Sequence, residues 1–146
     1  MQVTDIQNNP LLRFYSRFDP SLKLHPHFVQ VQNHKHRVAY TRFRCSSHHL
    51  AIETGRWQGQ HISNRLCYRC RVIDDEDHFI AKCRRHSIER AQLSSTIFLE
   101  LGDTSFKVFR NNFLYNLMKA ESVIIVQALA RYIYKSTKNR EMQDTQ

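Results

Sequence analysis

The chain has 146 residues and carries 22 Lys+Arg against 13 Asp+Glu, a formal net charge of +9. That length is one domain's worth and is enough to bury a core, roughly 70% of the unfolded surface. Hydrophobic residues make up 41% and Gly and Pro only three each, which excludes fibrous and low-complexity classes and favours helices over many short strands.

The first segment, 1–33, reads as irregular, because Pro10, Pro20 and Pro26 interrupt any helical run. Its start has no apolar core of the kind a secretory signal needs. Within it, Leu11-Leu12-Arg13-Phe14-Tyr15 is an apolar-basic patch suited to docking on a body or on a ligand. The chain is therefore expected to be intracellular, in nucleus or cytoplasm, with its four cysteines reduced.

From His34 to Cys45 the pattern turns helical, with Ala39, Tyr40, Phe43, Ser47 and Leu50 on one face. A continuation over 46–54 is predicted to stop at Gly55 as a C′ residue. Cys45 reads as a small buried residue. Residues 56–77 read as loop with a short hairpin. A helix is predicted from about His78 into the mid-90s, with Asp77 as N-cap and the acidic run Asp74-Asp75-Glu76-Asp77 at its positive end. A further helix capped by Thr104 or Ser105 would bury Phe106, Phe109, Phe113 and Leu117. A last one, over 120–138, would bury Ile125, Leu129 and Ile133 and expose Glu121, Arg131, Lys135 and Lys138. The tail 139–146 is polar and expected to fray. The longest apolar stretch, Val123 to Ile133, is interrupted by Gln127 and Arg131 and falls short of the roughly 20 residues a bilayer requires, so no membrane partner is expected. The expected class is mainly α: a small helical domain over 34–138 containing a zinc-stabilised loop/hairpin-helix module over 65–90.

The most informative spacing is Cys67-x2-Cys70-x7-His78-x4-Cys83, three thiols and an imidazole within seventeen positions. A C-x2-C pair folds back on one ion, and a second pair completes a tetrahedral shell with no open position, the mark of a structural Zn2+ site. His86, at i+3 from Cys83, competes with His78 for the fourth place. The carboxylate run does not suit a catalytic magnesium cluster, because four consecutive residues point in different directions. Pairs such as His34 with His36 and His48 with His49 offer at most a weak second site. No Ser/His/Asp ordering, Gly-rich phosphate loop or HExxH appears, so neither catalysis nor a small-molecule substrate is expected.

Residues 1–66 hold 9 Lys+Arg against 3 Asp+Glu, +6; residues 67–90 hold +1 and the remainder +2. Basic residues flanked by aromatics suit phosphate contact and base stacking. Arg37, Arg42, Arg44, Arg56, Trp57, Arg65, Tyr68, Arg69, Arg71, Arg84 and Arg85 are accordingly the candidate contacts to RNA or DNA. Tyr40 and Phe43, beside Arg42 and Arg44, are better suited to the core.

Arg42-Phe-Arg44, Ser47, His49-Leu50, Glu53-x-Gly55-Arg56, the Cys67/Cys70 pair, Glu76-Asp-His-Phe79, Cys83 and Arg90 together form a wider pattern. It resembles the C-terminal region of reverse transcriptases of non-LTR (LINE-like) retrotransposons, over roughly residues 40–90 and more loosely around Tyr132–Lys135. The resemblance implies Cys67, Cys70, His78 and Cys83 as the zinc ligands. It also implies a grip on template RNA or target DNA. The polymerase and endonuclease of such elements have no counterpart in this chain, so the resemblance carries over binding and not polymerisation.

Overall fold

A computed structural model describes residues 9–18 and 25–145. Among the described residues the structure is mainly helical, with no extended strand. Its helices are α1 (Arg13–Phe18), α2 (His27–Gln30), α3 (His34–Arg44), α4 (Ala51–Trp57), α5 (Ser87–Leu101), α6 (Asp103–Arg110), α7 (Phe113–Met118) and α8 (Val123–Asp144). No helix among the described residues is long and apolar enough to cross a membrane.

The core forms around α8. Its 22 residues span about 33 Å. Ser122 caps it by accepting from the Ile125 N–H at 3.5 Å, satisfying one of the otherwise orphaned first-turn donors. Ile125, Val126, Leu129, Ala130, Tyr132 and Ile133 are buried at three- and four-residue steps, and α3 and α5 pack against that stripe. Each large apolar side chain so buried contributes on the order of 1.5–3 kcal/mol. Asn33 caps α3, accepting from the His36 N–H at 3.1 Å, and Tyr40 and Phe43 enter the core from it.

The first segment is more ordered than its prolines suggest. Pro10 starts a 3-10 turn, Pro26 precedes α2, and Pro20 lies outside the described residues. Phe14 and Phe18 of α1 are buried, and Phe14 meets Phe43 edge-on at 5.1 Å. The apolar-basic patch thus docks on the body.

The long helices predicted from periodicity are shorter or broken. α3 does not continue past Arg44: Ser46 takes a left-handed φ of 57°, and the Ser47 N–H returns to the Arg42 carbonyl at 2.8 Å. Cys45 is exposed rather than buried. Gly55 is not a C′ residue but lies inside α4, where a Cβ would come within 2.5 Å of Arg65 Cγ. The Phe106–Leu117 stripe is shared between α6 and α7, because Asn112 leaves helical geometry at φ −140°, ψ 65°. Neither Thr104 nor Ser105 caps α6; the chain turns into it at Gly102, whose φ is 81°. The final helix begins three residues later than expected and continues through the predicted tail to Asp144.

Candidate metal centre

The segment 65–74 folds as a tight hairpin. Leu66 pairs with Ile73 as an antiparallel bridge, and the Cys67 N–H donates to the Val72 carbonyl at 2.7 Å. The Arg71 N–H closes back on the Cys67 carbonyl at 2.9 Å, which requires Arg71 at φ 61°, a left-handed conformation unusual for a non-glycine residue. This turn brings the two sulfurs of the C-x2-C pair to the same side.

The other two donors come from an interrupted helix. Residues His78–Lys82 form one wide π-type turn, and Cys83 steps out to ψ 124°. A 3-10 turn, Arg84–His86, then leads into α5. The single helix predicted from His78 is therefore broken at Cys83. Asp77 does not cap it; Asp75 does, accepting from the His78 N–H at 2.9 Å. The break swings the Cys83 thiol back over the His78 turn.

As a result the donor atoms of Cys67, Cys70, His78 and Cys83 all lie within 4.8 Å of one another, with Cys67 Sγ 4.0 Å from Cys83 Sγ. That separation is far from the roughly 2.05 Å of a disulfide, and all four cysteines are free. His78 is buried, yet neither of its ring nitrogens has a partner. A buried imidazole left without any hydrogen bond is costly, and a metal ion at the centre of the cluster would give one of its two nitrogens a partner. Cys67, Cys83 and His78 are buried and Cys70 is half-buried, so the cluster is closed on all but one side. The rival His86 is buried elsewhere: its Nε2 accepts from Arg140 Nε at 3.0 Å.

Polar groups surround the sulfurs. Burial works to raise the Cys70 pKa, but the Arg84 backbone N–H, the neighbouring thiols and the Arg84 charge outweigh it, and the thiol is shifted down. Burial keeps the Cys83 thiol raised despite the Arg85 N–H and Arg140. Burial also lowers the His78 pKa, which favours the neutral, ligating imidazole. Arg90 donates to the Cys83 carbonyl at 2.9 Å and to that of Ile80 at 3.3 Å.

Arg140 has the densest set of contacts. Its guanidinium pairs bidentately with Asp74 at 2.8 and 2.9 Å, donates to His86, and approaches Cys83 Sγ at 3.6 Å. Asp74 in turn caps α4, accepting from the Ala51 N–H at 2.9 Å. From sequence alone, Asp74 belongs at the positive end of a helix and Arg140 in a fraying tail. The available signal was the four-residue step Tyr132, Ser136, Arg140, which continues the buried stripe of α8.

The candidate nucleic-acid residues separate into two groups. Arg44 is buried and donates to the Met118 carbonyl at 3.3 Å. Arg37 donates to the Val31 carbonyl, Arg56 pairs with Glu53, Arg65 binds the Ile52 and Gln60 carbonyls, and Arg85 binds Asp144, Gln143 and the Arg140 carbonyl. These five hold the fold together. Arg42, Trp57, Tyr68, Arg69, Arg71 and Arg84 face solvent. Tyr68, 74% exposed at the hairpin tip, has the Arg71 guanidinium 5.8 Å from its ring centre. Exposed Arg131, Lys135 and Lys138 of α8 run beside Arg42 of α3, where His36 and Tyr134 meet ring to ring at 5.1 Å.

The fold and this cluster define a helical protein with a Cys3His group placed to hold a metal ion. No protein-family model, curated protein or solved structure matches the chain.

Proposed function

We propose that the chain is a zinc-stabilised module that binds nucleic acid. The observation that supports it best is the Cys3His cluster with an orphaned buried imidazole, set directly behind an exposed basic and aromatic hairpin tip. Three thiols and one imidazole are a donor set suited to zinc. Zinc–sulfur bonds of about 2.3 Å place tetrahedral sulfurs about 3.8 Å apart, close to the 4.0 Å between Cys67 and Cys83. Bound there, zinc supplies a structural cross-link with no open coordination position. The protein's own residues do the rest: Arg71 turns the hairpin, and the Arg84 and Arg85 N–H groups face the sulfurs.

Tyr68, Arg69, Arg71 and Arg84 form the contact surface of this reading, with Trp57 and Arg42 as outlying contributors. The resemblance of residues 40–90 to the C-terminal region of non-LTR retrotransposon reverse transcriptases supports binding as the role. Metal content by mass spectrometry, followed by titration with single-stranded RNA and DNA over a salt series, tests it. One zinc per chain and an affinity that falls steeply with salt are expected. Zinc-loaded protein that ignores both nucleic acids at low salt refutes it.

A second reading has its own observation. Leu66, Tyr68 and Val72 leave apolar surface exposed on the same hairpin, which suits a protein partner. A partner retained after nuclease treatment, and lost in Tyr68→Ala, would favour it.

A further inference from the structure

We infer that Lys35 and Arg42 of α3, with Arg131, Lys135 and Lys138 of α8, form a track for the phosphate backbone of a bound RNA or DNA strand, a second contact besides the hairpin tip. The inference rests on the nucleic-acid part of the proposed function and extends it to another face.

α3 and α8 run side by side in the same sense. His36 meets Tyr134 ring to ring, and further along Arg42 lies close enough to Lys138 for the two charges to repel. Lys35 and Arg42 share one face of α3 at a seven-residue step, and Arg131, Lys135 and Lys138 share one face of α8 at steps of four and three. All five are exposed. Each row spans about 10 Å along its helix axis. On α8 this face lies about half a turn round from Arg140, whose guanidinium approaches Cys83 Sγ, so it points away from the metal centre.

The charge of these rows is almost unmet. Among the described residues only Lys138 has a carboxylate partner, Glu141 at 2.9 Å; Lys35, Arg42, Arg131 and Lys135 have none. Glu89 lines the hollow beside Arg131 and Lys135, but its carboxylate accepts from Asn139. The arginines that hold the fold together, such as Arg56 and Arg65, each have a carboxylate or carbonyl. Like charges gathered on one face repel, and a polyanion relieves that repulsion while releasing its own counterions. The length also fits, since a 10 Å row passes about three phosphates of one strand at roughly 3.4 Å of axial rise each. His36 and Tyr134 are half-buried against one another, whereas Tyr68 is 74% exposed. The track therefore holds backbone, and base stacking is left to the hairpin.

Fluorescence anisotropy of a labelled oligouridylate over a salt series tests this on the full chain. Arg131→Gln/Lys135→Gln is compared with Arg110→Gln/Lys119→Gln, which removes the same charge from exposed positions elsewhere. The track variant should lose about tenfold in affinity at roughly 0.1 M salt and about 1.4 of the salt slope, 0.7 per phosphate contact, and the control neither. Lysine acetylation of the wild-type chain needs no variant: the bound oligonucleotide should cut modification of Lys35, Lys135 and Lys138 severalfold and leave Lys107 and Lys119 open. A track variant that matches the control, or Lys35, Lys135 and Lys138 acetylated equally with and without the RNA, overturns the inference and leaves hairpin binding standing. Loss of phosphatidylserine-vesicle binding by the track variant, with its RNA affinity kept, assigns the face to lipid and overturns it as well. Wild-type protein with no affinity for the RNA at low salt overturns the inference and the nucleic-acid reading together.

Discussion

Arg13 Nη2 donates to both carboxylate oxygens of Glu76, at 2.7 and 2.9 Å, across 63 positions of sequence. The same nitrogen reaches Glu53 at 3.2 Å, and His48 Nε2 meets Glu76 at 2.9 Å. Because His48 Nδ1 accepts from the Leu50 N–H, Nε2 is the donor to Glu76. Two buried carboxylates, Glu53 of α4 and Glu76 beside the Cys3His cluster, thereby hold α1 in place.

Removing one partner of a buried pair leaves a charge without compensation. Arg13→Met should lower stability by about 3 kcal/mol in urea denaturation. Arg17→Met breaks the pair with Asp77, whose side chains are 46% and 43% exposed, and removes a cation 5.0 Å from the Phe18 ring centre. It should cost less than about 1 kcal/mol. Equal losses for the two would show that Glu76 is not compensated by Arg13.

Acid should destabilise the protein in two stages. His27 is buried against Tyr40, and burial first, then His25 and the Arg44 and Arg37 charges, lower its pKa from 6.5 to about 3. The unfolded chain therefore binds a proton that the fold refuses, and stability drops as pH falls from 6.5 towards about 3. Asp74 and Glu76 have the opposite chemistry and the same outcome. Burial opposes their ionisation, but Arg140 for Asp74 and His48 and Arg13 for Glu76 pull both below the usual carboxylate range. Their stabilisation is complete above the unfolded carboxylate pKa and lost as pH falls through the depressed values. Unfolding free energy measured from pH 7 to 3 should show both stages. His86, lowered by burial to about 3 as well, contributes to the same stage. His27→Gln should therefore reduce the upper slope without abolishing it; an unchanged slope above pH 5 rules out His27 as a source.

Metal removal should be destructive. Cys67→Ser and His78→Ala should lose the ion and, with it, much of a binding term on the order of 10–16 kcal/mol at neutral pH. His86→Ala should keep the metal while losing core packing beside Phe79 and Tyr132. Metal stoichiometry by mass spectrometry decides it, and zinc retained by His78→Ala but lost by His86→Ala would reverse the ligand assignment.

Gly55 should not tolerate a methyl group. The Arg65 stem occupies that space while its guanidinium binds the Ile52 and Gln60 carbonyls. Gly55→Ala should cost about 1–3 kcal/mol by overpacking and lower the thermal midpoint, with the hairpin shifting first. A midpoint at or above wild type would mean that Arg65 moves freely.

At the hairpin tip, Tyr68→Ala should weaken single-stranded nucleic acid binding by about 1–3 kcal/mol and leave its salt dependence intact. Replacing Arg69, Arg71 and Arg84 with Gln should instead reduce the salt slope, by roughly 0.7 per lost phosphate contact. Fluorescence anisotropy over a salt series separates the two, and identical behaviour of all four variants would place binding on another face.

Much of this architecture was legible in the sequence. Spacing located Cys67, Cys70 and Cys83 and left His78 and His86 as rivals, and periodicity located α3 and the buried stripe of α8. What escaped was set by tertiary partners. The helix through Cys83 breaks because the thiol must return to the cluster, and no propensity signals that. Asp74, Asp75 and Glu76 look like one acidic helix start; Asp75 does cap the His78 turn, but Asp74 and Glu76 bond to Arg140 and Arg13. Arg37, Arg44, Arg56, Arg65 and Arg85 look like a nucleic-acid surface, and each instead satisfies a carbonyl or carboxylate within the fold. Neither composition nor spacing separates a basic residue that faces solvent from one that closes a loop.

The four candidate donors lie within seventeen consecutive positions, whereas Arg140 meets Asp74 across 66. Closing a short loop costs less entropy than closing a long one. During synthesis, the cluster is complete as soon as Cys83 has emerged, while α8 is still to be made. On the proposed reading, every donor to the ion is in place before the last helix is made. Pulse-labelled exchange during refolding should accordingly show protection at 67–83 before protection at 125–140, and should lose that order when zinc is withheld.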